Sequence, residues 1–177
     1  MAGFDALYKQ TVTLFNRVML GGSSLCGEFV TGIDVVGNDG SLRGLRELYW
    51  APILLRNVHL VIDRSIIIST YGEQSMDNAR LHVRYNRSGS DALVQGKRFY
   101  QPKAYKRLPS SEGAISFKFG DDFDFFVEGD VTGLGIVRDD DYREGFYNYA
   151  NANYDNCYAI TSVSMFNLIP HFEIGAK

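Results

Sequence analysis

The amino-acid sequence predicts a mainly β domain: a small barrel or sandwich with extended loops, one inserted arm and one short helix. Three features carry that expectation. Runs of strand length alternate apolar and polar residues with a period of two, the signature of extended chain with one buried face. Clusters of Gly, Asn and Asp separate those runs at short intervals, as in sandwiches and barrels. Finally, 12 Phe and 11 Tyr supply nearly all of a 14% aromatic fraction, and such residues suit strands and their packed faces. With 177 residues, 45% apolar and 22% charged, the chain has the size and balance of one domain, so residues 1–177 read as a single unit.

The first strand expected is Thr11–Met19, where Thr11, Thr13 and Phe15 alternate with Val12, Leu14 and Asn16. Next comes a glycine-dense stretch, Gly21 to Glu47, with the turn signal Asn38-Asp39-Gly40. It reads as an inserted arm that carries, at most, a strand at Glu28–Val36. Tyr49–Leu55 and Asn57–Ile62 alternate again, with Val58, Leu60 and Ile62 on one face and His59, Val61 and Asp63 on the other. Pro52 lacks an N–H and predicts an edge, a bulge or a break. Arg64–Thr70 holds the β-branched run Ile66-Ile67-Ile68, which suits a strand buried on both faces. In Ala79–Tyr85, Leu81, Val83 and Tyr85 point in while Arg80, His82 and Arg84 point out, and Ser88-Gly89-Ser90-Asp91 then forms a loop.

In the second half, Phe99–Tyr105 contains Pro102 and reads as extended chain or loop. Ala114–Phe119 reads as a strand with Ile115, Phe117 and Phe119 inward and Ser116 and Lys118 outward. Gly120-Asp121-Asp122 would turn it into a partner strand, Phe123–Val127. The helix expected is Tyr142–Ala152, with Phe146, Tyr149 and Ala150 on one stripe and Asp139–Asp141 at its N-terminus, where carboxylates meet free N–H groups. Two strands close the chain, Cys157–Met165 and Leu168–Ile174, with Asn167 and Pro170 between them and Gly175-Ala176-Lys177 held in the fold.

Chemistry is harder to find. The three histidines, His59, His82 and His171, fall in different strands with no second imidazole at ligand spacing. Nucleophile elbows, phosphate loops and zinc-protease motifs are missing from the sequence. Asp121, Asp122 and Asp124 read as a solvated turn, and Asp139, Asp140 and Asp141 as a helix start, since neither run has the alternation of a calcium loop. The basic run Lys97, Arg98, Lys103, Lys106 and Arg107 is interleaved with Phe99, Tyr100 and Tyr105. That pattern can stack on single-stranded nucleic acid, but it stands alone in a chain of net charge −3, and a polar loop is the better reading. Cys26 and Cys157 are far apart and read as unpaired, reduced thiols. The most apolar window, Ile53–Ile68, is broken by Arg56, His59, Asp63 and Arg64, which rules out a spanning helix. The expectation is no enzyme, no catalytic residue, no cofactor and no metal.

Several segments together resemble a known family. Thr11–Arg17, Asn57–Leu60, Phe123–Gly129, Tyr158–Val163 and Pro170–Lys177 are similar to small structural proteins of tailed phages and prophages, of the head–tail joining (neck, head-closure) type. The likeness spans most of the chain outside the Gly21 to Glu47 arm and consists of strand and turn signatures. It implies a homo-oligomeric ring around the DNA channel, with portal or adaptor and tail proteins as neighbours, in a virion assembled in the host cytoplasm. DNA would pass a mildly acidic lumen without sequence-specific binding, and no membrane is involved. The alternatives are a tail-completion or tail-terminator protein, and a carbohydrate- or receptor-binding module using Trp50, Tyr147, Tyr149 and Tyr154.

Overall fold

A computed structural model describes residues 7–20, 47–62, 79–108 and 111–177. The Gly21 to Glu47 arm, apart from Glu47 itself, and the Arg64–Thr70 strand lie outside the described residues. Eleven strands are found among the described residues: β1 Gln10–Leu20, β2 Glu47–Ile62, β3 Ala79–Arg84, β4 Asn86–Ser88, β5 Asp91–Val94, β6 Lys97–Phe99, β7 Ala114–Ile115, β8 Phe125–Glu128, β9 Val137–Arg138, β10 Cys157–Phe166 and β11 His171–Ala176. Two helices join them, α1 Pro102–Tyr105 and α2 Phe146–Asn153. None is long and apolar enough to cross a membrane.

Six strands close a barrel in the order β1-β8-β10-β11-β3-β2, with β2 pairing back onto β1, and every one of these pairs is antiparallel. The expected mainly β fold is therefore a barrel. Its interior holds Val12, Leu14, Leu55, Val58, Leu81, Val83, Phe126, Ile160, Phe172 and Ile174, all buried. A barrel this small is filled by side chains and leaves no lumen of its own. Any channel belongs to an assembly.

Beside the barrel, β4, β5, β6 and β7 form a second sheet whose Ala92, Val94 and Ile115 pack into the same core, with Phe117 just beyond β7 beside them. Its β5–β6 hairpin turns on Gln95 and Gly96, both at positive φ (48° and 84°). Two left-handed residues make the turn whose twist matches paired strands. Gln95 then hooks the sheet to the barrel: its amide nitrogen donates to the Arg56 carbonyl (2.5 Å), and its amide oxygen accepts the Arg56 N–H (3.2 Å).

The outer face of β1 and β8 is also buried. Phe15, Phe125 and Val127 meet Phe146 and Ala150 of α2, with Trp50, Val137 and Cys157 around them. Phe15 stacks on Phe125 at 4.8 Å and meets Phe146 edge-on at 5.2 Å. Such ring pairs stabilise by about 0.5–1.5 kcal/mol beyond the area they bury. Most of the aromatic rings among the described residues belong to these cores or pack against them.

Several expectations need correction. β2 is one continuous strand, although Pro52 stands in it and Asn57 is left-handed (φ 52°). Trp50 is the last residue paired with β9 and His59 the first paired with β3. Pro52 falls in that gap, where β2 has β1 on one side and neither β9 nor β3 on the other, an edge of the kind that tolerates proline. Asn57 sits at the bulge where pairing with β1 shifts register.

The Ala114–Phe119 strand is only Ala114–Ile115, and it pairs parallel with β6, not with the Phe123 segment, because β8 is taken by β1 and β10. Ser116 and Lys118 are buried, whereas Phe119 is exposed. Phe99–Tyr105 resolves into the end of β6 and the short α1, with Pro102 in its first turn. The Ser88–Asp91 loop is the turn of a β4–β5 hairpin. The C-terminal residues are held as expected: Lys177 and Ala159 exchange backbone hydrogen bonds of 3.0 and 2.8 Å.

Candidate functional site: a histidine ladder and a rigid hairpin tip

Alternation on β2, β3 and β11 sends Val58, Leu60, Leu81, Val83, Phe172 and Ile174 into the barrel, so their neighbours stand on its outer wall. Register then decides which neighbours meet. His59 lies opposite His82, and His82 lies opposite Glu173, so one row crosses three strands. His171 is two residues from Glu173 on the same face and pairs with Arg84. All three histidines of the chain, held apart in the sequence reading, therefore stand side by side. Their rings are 5.6 Å apart for His59–His82 and 5.7 Å for His82–His171. Tyr8 extends the row at one end (5.9 Å from His59) and Phe166 at the other, stacked on His171 at 4.9 Å.

Electrostatics in the row follow from this crowding. Partial burial pulls the His82 imidazolium below the usual histidine range, the Glu173 carboxylate opposes that shift, and His59, His171 and Arg80 reinforce it. Two backbone carbonyls fix the outer rings. Nδ1 of His59 lies 3.1 Å from the Leu7 carbonyl, and Nδ1 of His171 lies 2.7 Å from the Ile169 carbonyl. Since a carbonyl only accepts, each Nδ1 carries the proton when the ring is neutral and each Nε2 keeps a free lone pair.

The β10–β11 hairpin rises from the end of this row. Its tip exposes large apolar groups: Leu168 at 98%, Ile169 at 53%, Phe166 at 44% and Met165 at 40%. The turn is nevertheless fixed. The Tyr85 hydroxyl donates to Asn167 Oδ1 (2.8 Å) and lies 3.0 Å from the Phe166 carbonyl, while Arg87 donates to the same Asn167 oxygen (2.7 Å). The Tyr85 N–H reaches the Pro170 carbonyl at 3.3 Å. An apolar tip on a stapled turn can bind a partner with little ordering cost. A second exposed apolar patch, Leu134 and Ile136, stands before β9 on a different element.

The acidic runs behave differently from expectation. Asp124 is fully buried and belongs to no solvated turn. Its Oδ1 accepts the Arg17 N–H (2.7 Å) and lies 2.7 Å from Lys118 Nζ; its Oδ2 accepts the Lys118 N–H (2.8 Å) and the Asn16 amide (2.9 Å). Burial pushes this carboxyl up to about 6 against the pull of Lys118, and pushes the Lys118 ammonium down against the pull of Asp124. Asp122 is at the surface, paired with Lys106 and 3.8 Å from Arg17, which together lower its carboxyl. The helix begins at Phe146 and not at Tyr142, and Asp139–Asp141 form a separate 3-10 turn before it, yet Asp139 still reaches its first turn: its Oδ1 accepts the Phe146 N–H (2.8 Å) and also the Trp50 indole N–H (2.7 Å).

Two other groups of residues singled out in the sequence take the following places. In the basic run, Lys106 is paired with Asp122, Arg98 with Asp91 (2.8 Å), Tyr105 is buried and Phe99 packs on Phe172 at 4.5 Å. Tyr100 is half-buried, with the Arg98 guanidinium 5.2 Å from its ring centre. Among the proposed sugar-stacking rings, Trp50 is buried, Tyr147 and Tyr154 are half-buried against the core beneath α2, and Tyr149 is 41% exposed. Cys157 is a buried free thiol that burial pushes up to about 12, and Cys26 lies outside the described residues.

Neither Asp run gathers into a cation site: among the described residues, His82, His171 and Glu173 form the one group of three or more potential metal ligands. Sequence reasoning missed this cluster because it depends on pairing register, although the outward parity of His59 and His82 was readable. Comparison of the chain with protein-family models, with curated proteins and with solved structures finds no match in any of the three.

Proposed function

We propose that this chain is a structural subunit of a tailed-phage neck, a head-closure or head–tail joining protein that works by protein–protein contact. The observation that carries the reading is the β10–β11 tip. Leu168 is 98% exposed on a turn fixed by Tyr85, Asn167 and Arg87. Apolar side chains offered this openly on a rigid element mark a docking surface. The occupant proposed is a second copy of the chain. The tip and the Leu134–Ile136 patch are different surfaces, and a head-to-tail contact between two unlike surfaces closes copies into a ring.

Further support comes from the barrel itself. Its filled interior makes a stiff body. Leu20 and Glu47, which flank residues 21–46, are paired neighbours, and the arm between them is proposed to reach a neighbouring subunit. Portal or adaptor and tail proteins are the further partners, in the virion, with DNA passing through the assembled channel. No residue is given a catalytic role.

The test is assembly. The full chain should form a discrete ring by native mass spectrometry, alone or with portal and tail proteins of the same gene cluster, and the double variant Leu168→Asp, Ile169→Asp should not. A chain that stays monomeric under all these conditions contradicts the proposal.

A further inference from the structure

We propose that His82, His171 and Glu173 bind one divalent transition-metal ion of the zinc class on the outer wall of the barrel, at the root of the β10–β11 hairpin. One donor atom from each residue lies within 4.8 Å of the other two. Tetrahedral zinc, with bonds of ~2.0–2.2 Å to nitrogen and carboxylate oxygen, needs its donors about 3.3 Å apart. Small side-chain rotations close that difference, because all three residues are only half-buried.

Donor chemistry selects the ion class. Two imidazoles and a carboxylate suit zinc and its neighbours in the first transition row, whereas magnesium and calcium prefer oxygen alone. The His171 ring is prepared for this role: the Ile169 carbonyl 2.7 Å from its Nδ1 holds the proton there and leaves Nε2 for a metal. Metal-bound histidines commonly make such an outer hydrogen bond, which orients the ring and raises its basicity. The His82 ring stands between the other groups, 5.6 Å from the His59 ring and 5.7 Å from the His171 ring. The Arg80 guanidinium is 3.9 Å from Glu173 and 62% exposed, a weak pair that a divalent ion displaces.

Three protein donors leave a fourth position for water. The ion would tie β3 to β11 beside the stapled turn, adding a metal cross-link to the hairpin that presents Leu168. This inference does not depend on ring assembly, because its ligands lie on one chain.

Zinc titrated into the full chain, purified without a histidine tag and followed by calorimetry, should bind saturably at one ion per chain. His82→Ala and His171→Ala should each weaken binding at least tenfold, Glu173→Gln about tenfold, and His59→Ala less than twofold. In the unmodified chain, zinc should shift the imidazole NMR signals of His82 and His171 far more than those of His59, a readout that needs no variant to fold. Absence of saturable binding, unchanged affinity in the His82→Ala, His171→Ala double variant, or equal shifts at all three rings would overturn the site.

Discussion

Lys118 and Asp124 show how far a single side chain can depart from its place in a pattern. By alternation Lys118 belongs with Ser116 on a solvent face, yet the segment is covered on both sides and the ammonium is buried 2.7 Å from Asp124. The aromatic ring of Tyr105 lies 4.7 Å from it on another side. Nothing in the residues 114–119 announces this; the cover is supplied by α1 and by β1, which are remote in sequence. Removing one member of a buried pair leaves an uncompensated charge, a loss of ~3–5 kcal/mol. Asp124→Asn should therefore destabilise by about that much in urea unfolding, since the carboxylate also accepts the Arg17 and Lys118 N–H groups and the Asn16 amide. Lys118→Met, which leaves those three donors satisfied, should cost less. Cys157 offers a second check on burial. With its thiol pushed up to about 12, the thiolate is scarce at pH 8, so peptide-resolved alkylation should mark Cys157 only after denaturation. Rapid native labelling at that pH would contradict the packing beneath α2.

At the scale of elements, β3, β10 and β11 were readable because one face of each is at least partly open to solvent, and period-two alternation survives; β1 keeps a partial alternation of Thr with Val and Leu although both of its faces are buried from Val12 to Asn16. β3 is the clearest case: Leu81, Val83 and Tyr85 are buried and Arg80 is exposed, as parity requires. The β7–β8 region failed for the opposite reason. Phe125, Phe126 and Val127 are all buried, so no alternation exists to reveal which strand β8 joins. β2 was read as two strands because Pro52 and Asn57 both look like interruptions, whereas each occupies a place that tolerates it. Asn57 adopts φ 52° at the register shift, a conformation that Asn and Gly accept and β-branched residues resist. Asn57→Gly should leave urea stability within ~0.5 kcal/mol, and Asn57→Val should cost about 1–2 kcal/mol. Equal stability for both would mean that the bulge is absent.

For the whole molecule, the fold class was legible and the site was not. A mainly β chain of this length with short, turn-separated strands has few architectures open to it, and barrel closure by β1–β2 pairing is one of them. Which outward residues meet is a property of register across β2, β3 and β11, and register is set by distant partners. The histidine row and the hairpin tip both emerge at that level, the first from the His59–His82–Glu173 alignment and the second from Tyr85 reaching across to Asn167. Together these contacts place the histidine row and the apolar tip on the outside of a barrel whose interior is filled. Replacing Leu168 by Asp should leave the monomer's unfolding midpoint almost unchanged, because a side chain 98% exposed stabilises nothing within the chain. The most direct measurement is the molar mass of the full chain and of Leu168→Asp by light scattering across a concentration series. Measured alone and with portal and tail proteins of the same gene cluster, the unmodified chain is predicted to form a concentration-dependent ring and the variant a folded monomer; a monomer of both under every condition, or the same oligomer in both, would contradict the account.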